Sequence, residues 1–264
     1  MNAAIDLAVD VNSAPRPTIA AKVLLQFART LAFIFFSLVA LAEILLVIPL
    51  VRKERRLVVR AKWLHLWCRF ACRVLGIHRV IRGPMPRSGL LVCNHLSYID
   101  IVVLSSFTPC VFVAKRDVSG WPLFGWLARA AGTIFVDRRR RLAARDAVEN
   151  MQKAIRNGAL VVIFPEGTSS DGVTVLPFKS ALLEPALELG CRVTAGAIDY
   201  SLPYGGSVGD EVCYWRDMTL APHLLNFFAK PRVEVRLTIS QFQPRGDRKR
   251  IACELRDQIA KLRS

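Results

Sequence analysis

The chain has 264 residues, of which 53% are hydrophobic, and it carries a net charge of +16 with a mean hydropathy of +0.33. This length allows one medium domain with an appendage, and the joint apolarity and basicity favour an anionic membrane surface as the partner. Binding to nucleic acid is not expected, because the chain has no zinc-finger spacing and no aromatic residues interleaved with basic ones as a base-stacking surface would need.

The cysteines and histidines predict reduced thiols and no metal centre. The seven cysteines are scattered without a CxxC pair, and the four histidines are dispersed. An odd, unpatterned set of cysteines is typical of a protein that faces the cytosol. Most of these cysteines are expected to be small, buried hydrophobic residues.

An apolar segment near the N-terminus is a candidate membrane helix. Residues 1–20 have no early basic cluster and are predicted to be a loose tail. The run LAFIFFSLVALAEILLVIPLV, residues 31–51, contains a single charged residue, Glu43. A bilayer core needs about 20 apolar residues of helix. Basic residues are denser after this segment than before it, so the following domain is expected on the cytoplasmic side.

A basic amphipathic helix is predicted next, in RAKWLHLWCRFACRVLG, residues 60–76. Trp63, Trp67 and Phe70 recur on one face, an arrangement that suits a membrane interface or, alternatively, packing against the rest of the protein. Because Glu43 is costly in a single span, a hairpin of the two helices within one leaflet is the alternative. Residues 21–76 are therefore assigned to a membrane helix plus an interfacial helix, and the choice between spanning and monotopic anchoring stays open.

Residues 77–264 are predicted to form one α/β domain. Short apolar runs alternate with helical patterns there. Strands are expected in VIRG, GLLVC, CVFVA, TIFV, LVVIF, VTAGAI and RVEVRLTIS, and helices over residues 122–130, 142–156, 179–189 and in DRKRIACELRDQIAKLRS. This alternation predicts an α/β fold with a mostly parallel sheet flanked by helices.

The stretch CNHLSYID, directly after the run GLLV, could carry acid–base chemistry. His95 and Asp100 are five positions apart and cannot share a helix face, so the chain must turn between them if they act together. A neutral imidazole can take a proton from a hydroxyl, and an aspartate on the other ring nitrogen would fix its tautomer. The alternative is structural, with Ser97 and Asp100 beginning a helix and His95 packed in the core.

Two further stretches follow predicted strands. GTIFVDRRRR places Arg138 at a strand end, where a guanidinium suits a phosphate or carboxylate, although a run of arginines is more often a solvated or lipid-facing surface. FPEGTSSDG places Glu166, Gly167 and Thr168 in a tight turn, which is expected to expose Glu166 and nearby N–H groups to a polyol or an anion. An ordinary polar turn is the alternative. No GxSxG motif is present, so a serine nucleophile is not expected.

Together these three stretches resemble the blocks of the glycerolipid acyltransferases, the family that includes bacterial 1-acyl-glycerol-3-phosphate acyltransferase. CNHLSYID matches the family's NHx4D block, GTIFVDR resembles the second block, and FPEGTSS is similar to FPEGTRS. The resemblance covers about residues 80–198, with the blocks in the expected order. It implies catalytic roles for His95 and Asp100, and acceptor binding by Arg138, Glu166, Gly167 and Thr168.

The resemblance implies a membrane-bound O-acyltransferase that works at the cytoplasmic face of the inner membrane. The acyl donor would be acyl-CoA or acyl carrier protein, and the first expected acceptor is 1-acyl-sn-glycerol-3-phosphate, which would give phosphatidic acid. His95 would be the general base and Asp100 would orient it. No metal, cofactor or covalent acyl-enzyme is required, and activity is expected to fall on acidification because imidazolium cannot accept a proton.

Two departures from the family pattern leave the acceptor open. Ser169 stands where the family often has an arginine associated with the acceptor's phosphate, and Ala195 stands where its fourth block usually has a proline. Lyso-ornithine lipid, which has no phosphate, is therefore the alternative acceptor, although Arg138 and Lys179 would suit a phosphate. A lipid hydrolase and a non-catalytic lipid-binding membrane protein are more remote alternatives, the latter disfavoured by the intact histidine–aspartate pair.

Overall fold

The computed structural model describes residues 18–137 and 141–263, which form a seven-stranded sheet with helices on its faces. The strands are β1 (Ile77–Arg82), β2 (Gly89–Cys93), β3 (Val111–Lys115), β4 (Ile134–Val136), β5 (Leu160–Ile163), β6 (Val193–Ser201) and β7 (Val233–Phe242). The helices are α1 (Ile19–Leu50), α2 (Arg56–Val74), α3 (Ile99–Phe107), α4 (Phe124–Ala130), α5 (Arg141–Arg156), α6 (Glu184–Glu188), α7 (Val208–Glu211), α8 (Leu220–Phe228) and α9 (Arg248–Arg263).

The sheet is mostly parallel, as the alternation of strands and helices predicts. Its order is β1-β7-β6-β2-β5-β3-β4, and the run from β6 to β4 is parallel throughout. β7 pairs antiparallel with β6, and β1 pairs parallel with β7. The central strands β2 and β5 are buried along their whole length, which explains why GLLVC and LVVI are uninterrupted apolar runs.

This topology brings the first and third predicted blocks, with His95 and Glu166, to one edge of the sheet. Carboxyl ends of parallel strands lie at the same edge, and open α/β sheets bind ligands there. The segments that follow β2, β4 and β5 carry the three blocks. Because β7 is antiparallel to β6, the connection over residues 202–232 also lies at this edge.

The prediction of one continuous helix over residues 179–189 is wrong. The chain forms a 3₁₀ turn, Ser180–Leu182, and then the separate helix α6. Pro185 is the reason, because it has no N–H group for a helical bond and its ring crowds the preceding turn, so it fits only at the start of a helix. The helices expected over 122–130, 142–156 and the C-terminal segment are present as α4, α5 and α9.

The helices α1 and α2 pack against each other and against the sheet domain. α1 is long and apolar enough to cross a membrane by length and composition, and it begins at Ile19, upstream of the predicted apolar segment. Ala40 and Ile44 of α1 are buried against Trp63 of α2 and Ala131. The indole N–H of Trp67, also on α2, donates to the Glu43 carboxylate at 2.8 Å. The aromatic face of α2 is thus used for packing.

Arg29 fixes α1 to the ends of two other helices. Its side chain is buried and donates to the carbonyl oxygens of Val74 at 2.9 Å and Phe228 at 3.1 Å. It also donates to the carbonyls of Lys230 and Pro231. Val74 ends α2 and Phe228 ends α8, so one guanidinium satisfies carbonyl groups that helix termini leave unpaired.

The opposite face of α1 carries an exposed apolar stripe along most of the helix, from Ile19 to Leu50. The stripe includes Val23, Leu24, Phe27, Leu31, Phe35, Leu38, Leu45 and Leu46. Of the predicted loose tail, residues 1–20, residues 1–17 lie outside the described residues, Thr18 caps α1, and Ile19 and Ala20 are in the first turn of α1. The division into tail, membrane segment and acyltransferase domain stays a prediction.

Candidate active site

The turn between β2 and α3 brings His95 and Asp100 together. His95 Nδ1 lies 2.8 Å from Asp100 Oδ2, and the aspartate side chain is fully buried while 21% of the histidine side chain is exposed. The strand ends at Cys93 and the helix begins at Ile99, so the intervening residues form the turn that the five-residue spacing demands. The structure therefore brings the predicted pair into contact.

Asp100 accepts three hydrogen bonds besides the one from His95. The backbone N–H groups of Leu96 and Ser97 donate to Oδ2 at 2.7 and 3.0 Å, and the Tyr200 hydroxyl donates to Oδ1 at 2.7 Å. Burial and the charge of Asp100 raise the pKa of Tyr200, which keeps this hydroxyl protonated as a donor. With Asp100 occupied as an acceptor, His95 donates through Nδ1, and Nε2 keeps the lone pair that a base needs.

Asn94 and Phe164 hold the catalytic turn in place. The buried amide of Asn94 donates to the Ile198 carbonyl at 3.0 Å and accepts from the Ile198 N–H at 2.7 Å, so it joins the end of β2 to β6. The ring of Phe164 stacks on the His95 ring, with centroids 4.1 Å apart and an interplanar angle of 15°. Asn94 therefore supports the site by joining the backbones of two strands.

Glu166 is buried, so the predicted exposure of its carboxylate is wrong. Only 3% of the residue is accessible, because Oε1 accepts from the His95 N–H at 2.7 Å and Oε2 from the Leu176 N–H at 2.9 Å. Burial raises the pKa of Glu166, and these two backbone bonds oppose the rise. Glu166 thus ties the third block to the histidine-bearing turn, and its contact with an acceptor stays a prediction.

Gly167 has a structural requirement for glycine. Its φ of +71° lies in the left-handed region, and a Cβ there would be 2.6 Å from Lys179 Nζ. The Lys179 ammonium therefore lies directly over the turn of the third block. Thr168 is exposed on this turn, and the Ser169 hydroxyl donates to the Tyr214 carbonyl. Arg138 of the second block lies outside the described residues, and its role stays a prediction.

Tyr200 and a second histidine were missed by the sequence reasoning. The Tyr98 hydroxyl donates to His223 Nδ1 at 3.0 Å, and His223 Nε2 donates to the Cys213 carbonyl at 2.8 Å. Burial lowers the pKa of His223, in keeping with a neutral ring that accepts at one nitrogen and donates at the other. Tyr98 is 125 residues from His223 in sequence, and Tyr200 is 100 residues from Asp100. No local sequence pattern predicts contacts at such separations.

An apolar cavity of about 240 Å³ lies between the N-terminal helices and the catalytic edge of the sheet. Its walls come from α1, α2, α3, α4 and β3, and include Phe33, Phe36, Trp63, Tyr98, Phe112 and Trp121. Phe112 stacks on Phe164 with centroids 6.2 Å apart, and Phe164 stacks on His95. The stacked rings of Phe112 and Phe164 would thus separate a hydrocarbon chain in this cavity from the His95 ring.

The residues that the structure describes hold no cluster of three or more His, Cys, Asp or Glu side chains suited to a metal ion. The chemistry that this arrangement supports on its own is proton abstraction by an imidazole oriented by a buried carboxylate.

Comparisons with known proteins agree with this geometry. A family model described as Acyltransferase matches residues 73–199. The lyso-ornithine lipid O-acyltransferase of Rhizobium meliloti is 34% identical over 220 residues, which cover 77% of this chain and 75% of that protein. The enzyme of the same name from Rhodobacter capsulatus is 38% identical over 173 residues, 62% of this chain and 61% of that protein.

A second group of relatives bears another name. The 1-acyl-sn-glycerol-3-phosphate acyltransferase of Neisseria gonorrhoeae is 32% identical over 161 residues, or 57% of this chain and 63% of that protein. The crystal structure of the 1-acyl-sn-glycerophosphate (LPA) acyltransferase from Thermotoga maritima superposes with a TM-score of 0.61 at 23% identity, covering 92% of this chain and 98% of that one, which shows the shared fold. Sequence, fold and the paired histidine and aspartate all agree: the chain belongs to the glycerolipid acyltransferase family.

Proposed function

We propose that the protein is a membrane-bound O-acyltransferase that moves a fatty acyl group from a thioester to the free hydroxyl of a lysolipid. The observation that carries this proposal is the contact between His95 Nδ1 and the buried Asp100 carboxylate, which leaves Nε2 as a base. The family relatives named above are acyltransferases, and the nearby apolar cavity suits an acyl chain.

His95 removes the proton from the acceptor hydroxyl as the oxygen attacks the thioester carbonyl. Asp100 stabilises the imidazolium that forms. The tetrahedral intermediate then collapses, the carbon–sulfur bond breaks, and the leaving thiolate takes the proton from His95. Each turnover thus regenerates the neutral imidazole. The thioester supplies the driving force, so positioning and one base suffice.

The acceptor headgroup would lie along the carboxyl edge of the sheet. Arg138 and Lys179 are the proposed partners of an anionic group, and Thr168 and the turn at Gly167 the proposed partners of the acceptor backbone. The ammonium of Lys179 lies over that turn, which places a positive charge beside the third block. Donor binding is proposed for acyl-CoA or acyl carrier protein.

The first proposed acceptor is 1-acyl-sn-glycerol-3-phosphate, with lyso-ornithine lipid as the second. One observation favours the second: the Ser169 hydroxyl is bonded to the Tyr214 carbonyl, so this position offers no cation to a phosphate. The two relatives from Rhizobium and Rhodobacter also bear the lyso-ornithine name. Association with a membrane is supported by α1, and we place the enzyme at the cytoplasmic face of the inner membrane.

Replacing His95 with alanine tests the proposal. Purified protein in detergent would receive a labelled acyl group bound either to CoA or to acyl carrier protein. Parallel samples would contain lysophosphatidic acid, lyso-ornithine lipid or no acceptor. Loss of a positioned base typically lowers the rate by about 10²–10⁴-fold, and we expect that loss in His95→Ala. His78→Ala, which removes an exposed histidine on β1, is the matched control and should keep the wild-type rate.

The acceptor that gains label identifies the substrate. Transfer to lysophosphatidic acid would make Ser169 a tolerated variation, and transfer to lyso-ornithine lipid alone would support the second candidate. Full activity in His95→Ala would contradict the mechanism, whichever acceptor is used.

A further inference from the structure

The loop over residues 213–217 is tied to two of the three family blocks. The Tyr214 N–H donates to the Leu96 carbonyl at 2.8 Å, next to His95 in the first block. The Tyr214 carbonyl accepts the hydroxyl of Ser169, where the family pattern often has an arginine. This loop therefore lies against both the catalytic turn and the position of the missing arginine.

The same loop borders the apolar cavity. The ring of Tyr214 makes edge contacts with Tyr98 at 5.5 Å and with Trp121 at 6.1 Å between centroids. Both partners line the cavity. The loop thus lies where a lysolipid with its chain in the cavity and its hydroxyl at His95 would place its headgroup.

Arg216 adopts a backbone conformation that glycine would adopt more easily. Its φ is +52°, and in residues 18–137 and 141–263 Leu123 is the other non-glycine residue with a positive φ. The left-handed region is sterically unfavourable for a residue with a Cβ. Strained residues of this kind are found at ligand-binding sites, where the surrounding structure maintains them. Binding of a ligand by the Arg216 side chain would account for an arginine at this strained position.

The guanidinium of Arg216 is held in place and is available to a ligand. It lies 4.1 Å above the ring of Trp215, whose indole N–H is fixed by the Gly209 carbonyl at 3.0 Å. The residue is exposed, and no carboxylate in the described part of the chain forms an ion pair with it. A stacked guanidinium keeps its forked N–H donors free for a planar or tetrahedral anion.

Arg263, another arginine near the third block, is already engaged. It donates to Asp199 Oδ1 at 2.8 Å and to the Gly172 carbonyl at 2.6 Å. Its role is to fix the loop after the third block to β6 and α9. Two of the N–H groups of Arg263 are therefore engaged, whereas no carboxylate in the described residues pairs with Arg216.

We propose that Arg216 binds the anionic group of the acceptor headgroup and replaces the arginine that is absent at position 169. This inference rests on the proposed lysolipid acyltransferase function. The anion is the phosphate of lysophosphatidic acid or the carboxylate of lyso-ornithine lipid, and a guanidinium recognises both through paired hydrogen bonds.

Arg216→Gly is the informative variant, because glycine accepts the left-handed backbone and the substitution removes the cation together with its stacking contact on Trp215. We expect the KM for the acceptor to rise about tenfold or more, as befits the loss of a charge-assisted hydrogen bond. The KM for the acyl donor should not change, and the thermal midpoint should be equal or higher. Arg216→Lys keeps a charge and should fall between wild type and Arg216→Gly.

The matched control is Arg245→Gly, an exposed arginine between β7 and α9. It lies at the opposite edge of the sheet, since Phe242 at the end of β7 pairs with Val193 at the start of β6. This variant should keep both KM values.

Binding of the acceptor without a donor separates the two proposals. Each lysolipid is titrated into the protein while the tryptophan fluorescence is recorded, which measures affinity in the absence of transfer. One of the tryptophans is Trp215, on which Arg216 stacks. Weaker binding of either lysolipid to Arg216→Gly supports the inference and identifies its anion, even if wild type transfers no acyl group. Unchanged affinity and unchanged KM for both lysolipids in an active enzyme would overturn the role of Arg216 and leave the proposed function intact.

Discussion

At the scale of single residues, the Asp100 carboxylate is the most heavily coordinated group of the site. It accepts from one imidazole, two backbone N–H groups and the Tyr200 hydroxyl. Donors around a carboxylate spread its charge and lower its basicity, so each of them tempers how strongly Asp100 stabilises the imidazolium of His95. Tyr200 is therefore a positioning residue that also adjusts the base.

Tyr200→Phe should move the acid limb of the pH–rate profile to higher pH. Without the hydroxyl, Oδ1 loses its donor and the carboxylate attracts the imidazolium more strongly. The protonated, inactive form of His95 then persists to higher pH, so activity is lost earlier on acidification. The pH dependence of kcat/KM for both proteins would show this shift.

Tyr204→Phe, which removes the hydroxyl of a partly exposed tyrosine, should leave the profile where it is in wild type. A Tyr200→Phe profile that is lowered uniformly, with its acid limb unmoved, would mean that this tyrosine only supports the fold.

The contact between His95 and Asp100 is predictable because the two residues are close in sequence. If the two residues act together, their five-residue spacing after an apolar strand requires a turn between them, and the structure has that turn. Tyr200 was not predictable, since it reaches Asp100 only through the pairing of β6 with β2. The exposure of Glu166 was wrongly predicted for a related reason: backbone N–H groups of two other segments needed an acceptor, and that need has no local signature.

At the scale of elements, Arg29 determines how α1 is placed. A guanidinium in an apolar helix is costly unless it finds acceptors, and here the ends of α2 and α8 supply them. The helix therefore presents its Arg29 side to the catalytic domain and its apolar stripe to the exterior.

Arg29→Leu should destabilise the fold by about 3 kcal/mol, because hydrogen bonds to a charged donor are lost and buried carbonyl groups are left unpaired. The free energy of unfolding in detergent would measure the change. Arg69→Leu on α2 is the control, since this arginine is exposed, and its effect should be small. Equal stability of the two variants would contradict the role of Arg29 as a link between helices.

Regular elements followed from periodicity where the pattern was long. The strands and the helices α4, α5 and α9 were all indicated by their apolar spacing. No helix was predicted for α8, whose nine residues, LAPHLLNFF, are few and include a proline. Its stability comes from tertiary packing, with His223, Phe227 and Phe228 buried, and such packing is not visible in a short window.

At the scale of the whole molecule, α1 runs along the catalytic domain. Arg29 bonds to the end of α8, and Ile44 packs with Trp63 and Ala131. These two contacts are separated by about 22 Å of helix, a large part of the roughly 30 Å core of a bilayer. If the domain that packs along this length of helix stays outside the hydrocarbon, α1 lies within one leaflet, and this is the orientation that we predict.

Spin labels on the exposed stripe would test this orientation. At Leu24, Leu38 and Leu46, all exposed on α1, oxygen and nickel accessibility in vesicles should report depths within a single leaflet. A spanning helix would instead show depths that pass through the midplane between the first and the last site. The matched control is a label at Arg245, outside the stripe, which should report an aqueous environment.

The cavity walled by α1, α2 and the catalytic domain has a consequence for how substrate is supplied. Part of its wall is α1, and if the exposed stripe of α1 lies in hydrocarbon, as we propose, a lysolipid would reach the cavity from the leaflet. The quantity that governs saturation is then the number of lysolipid molecules per unit area of membrane. Growth or shrinkage of the membrane would by itself change the rate of this enzyme, at a constant amount of lysolipid in the cell.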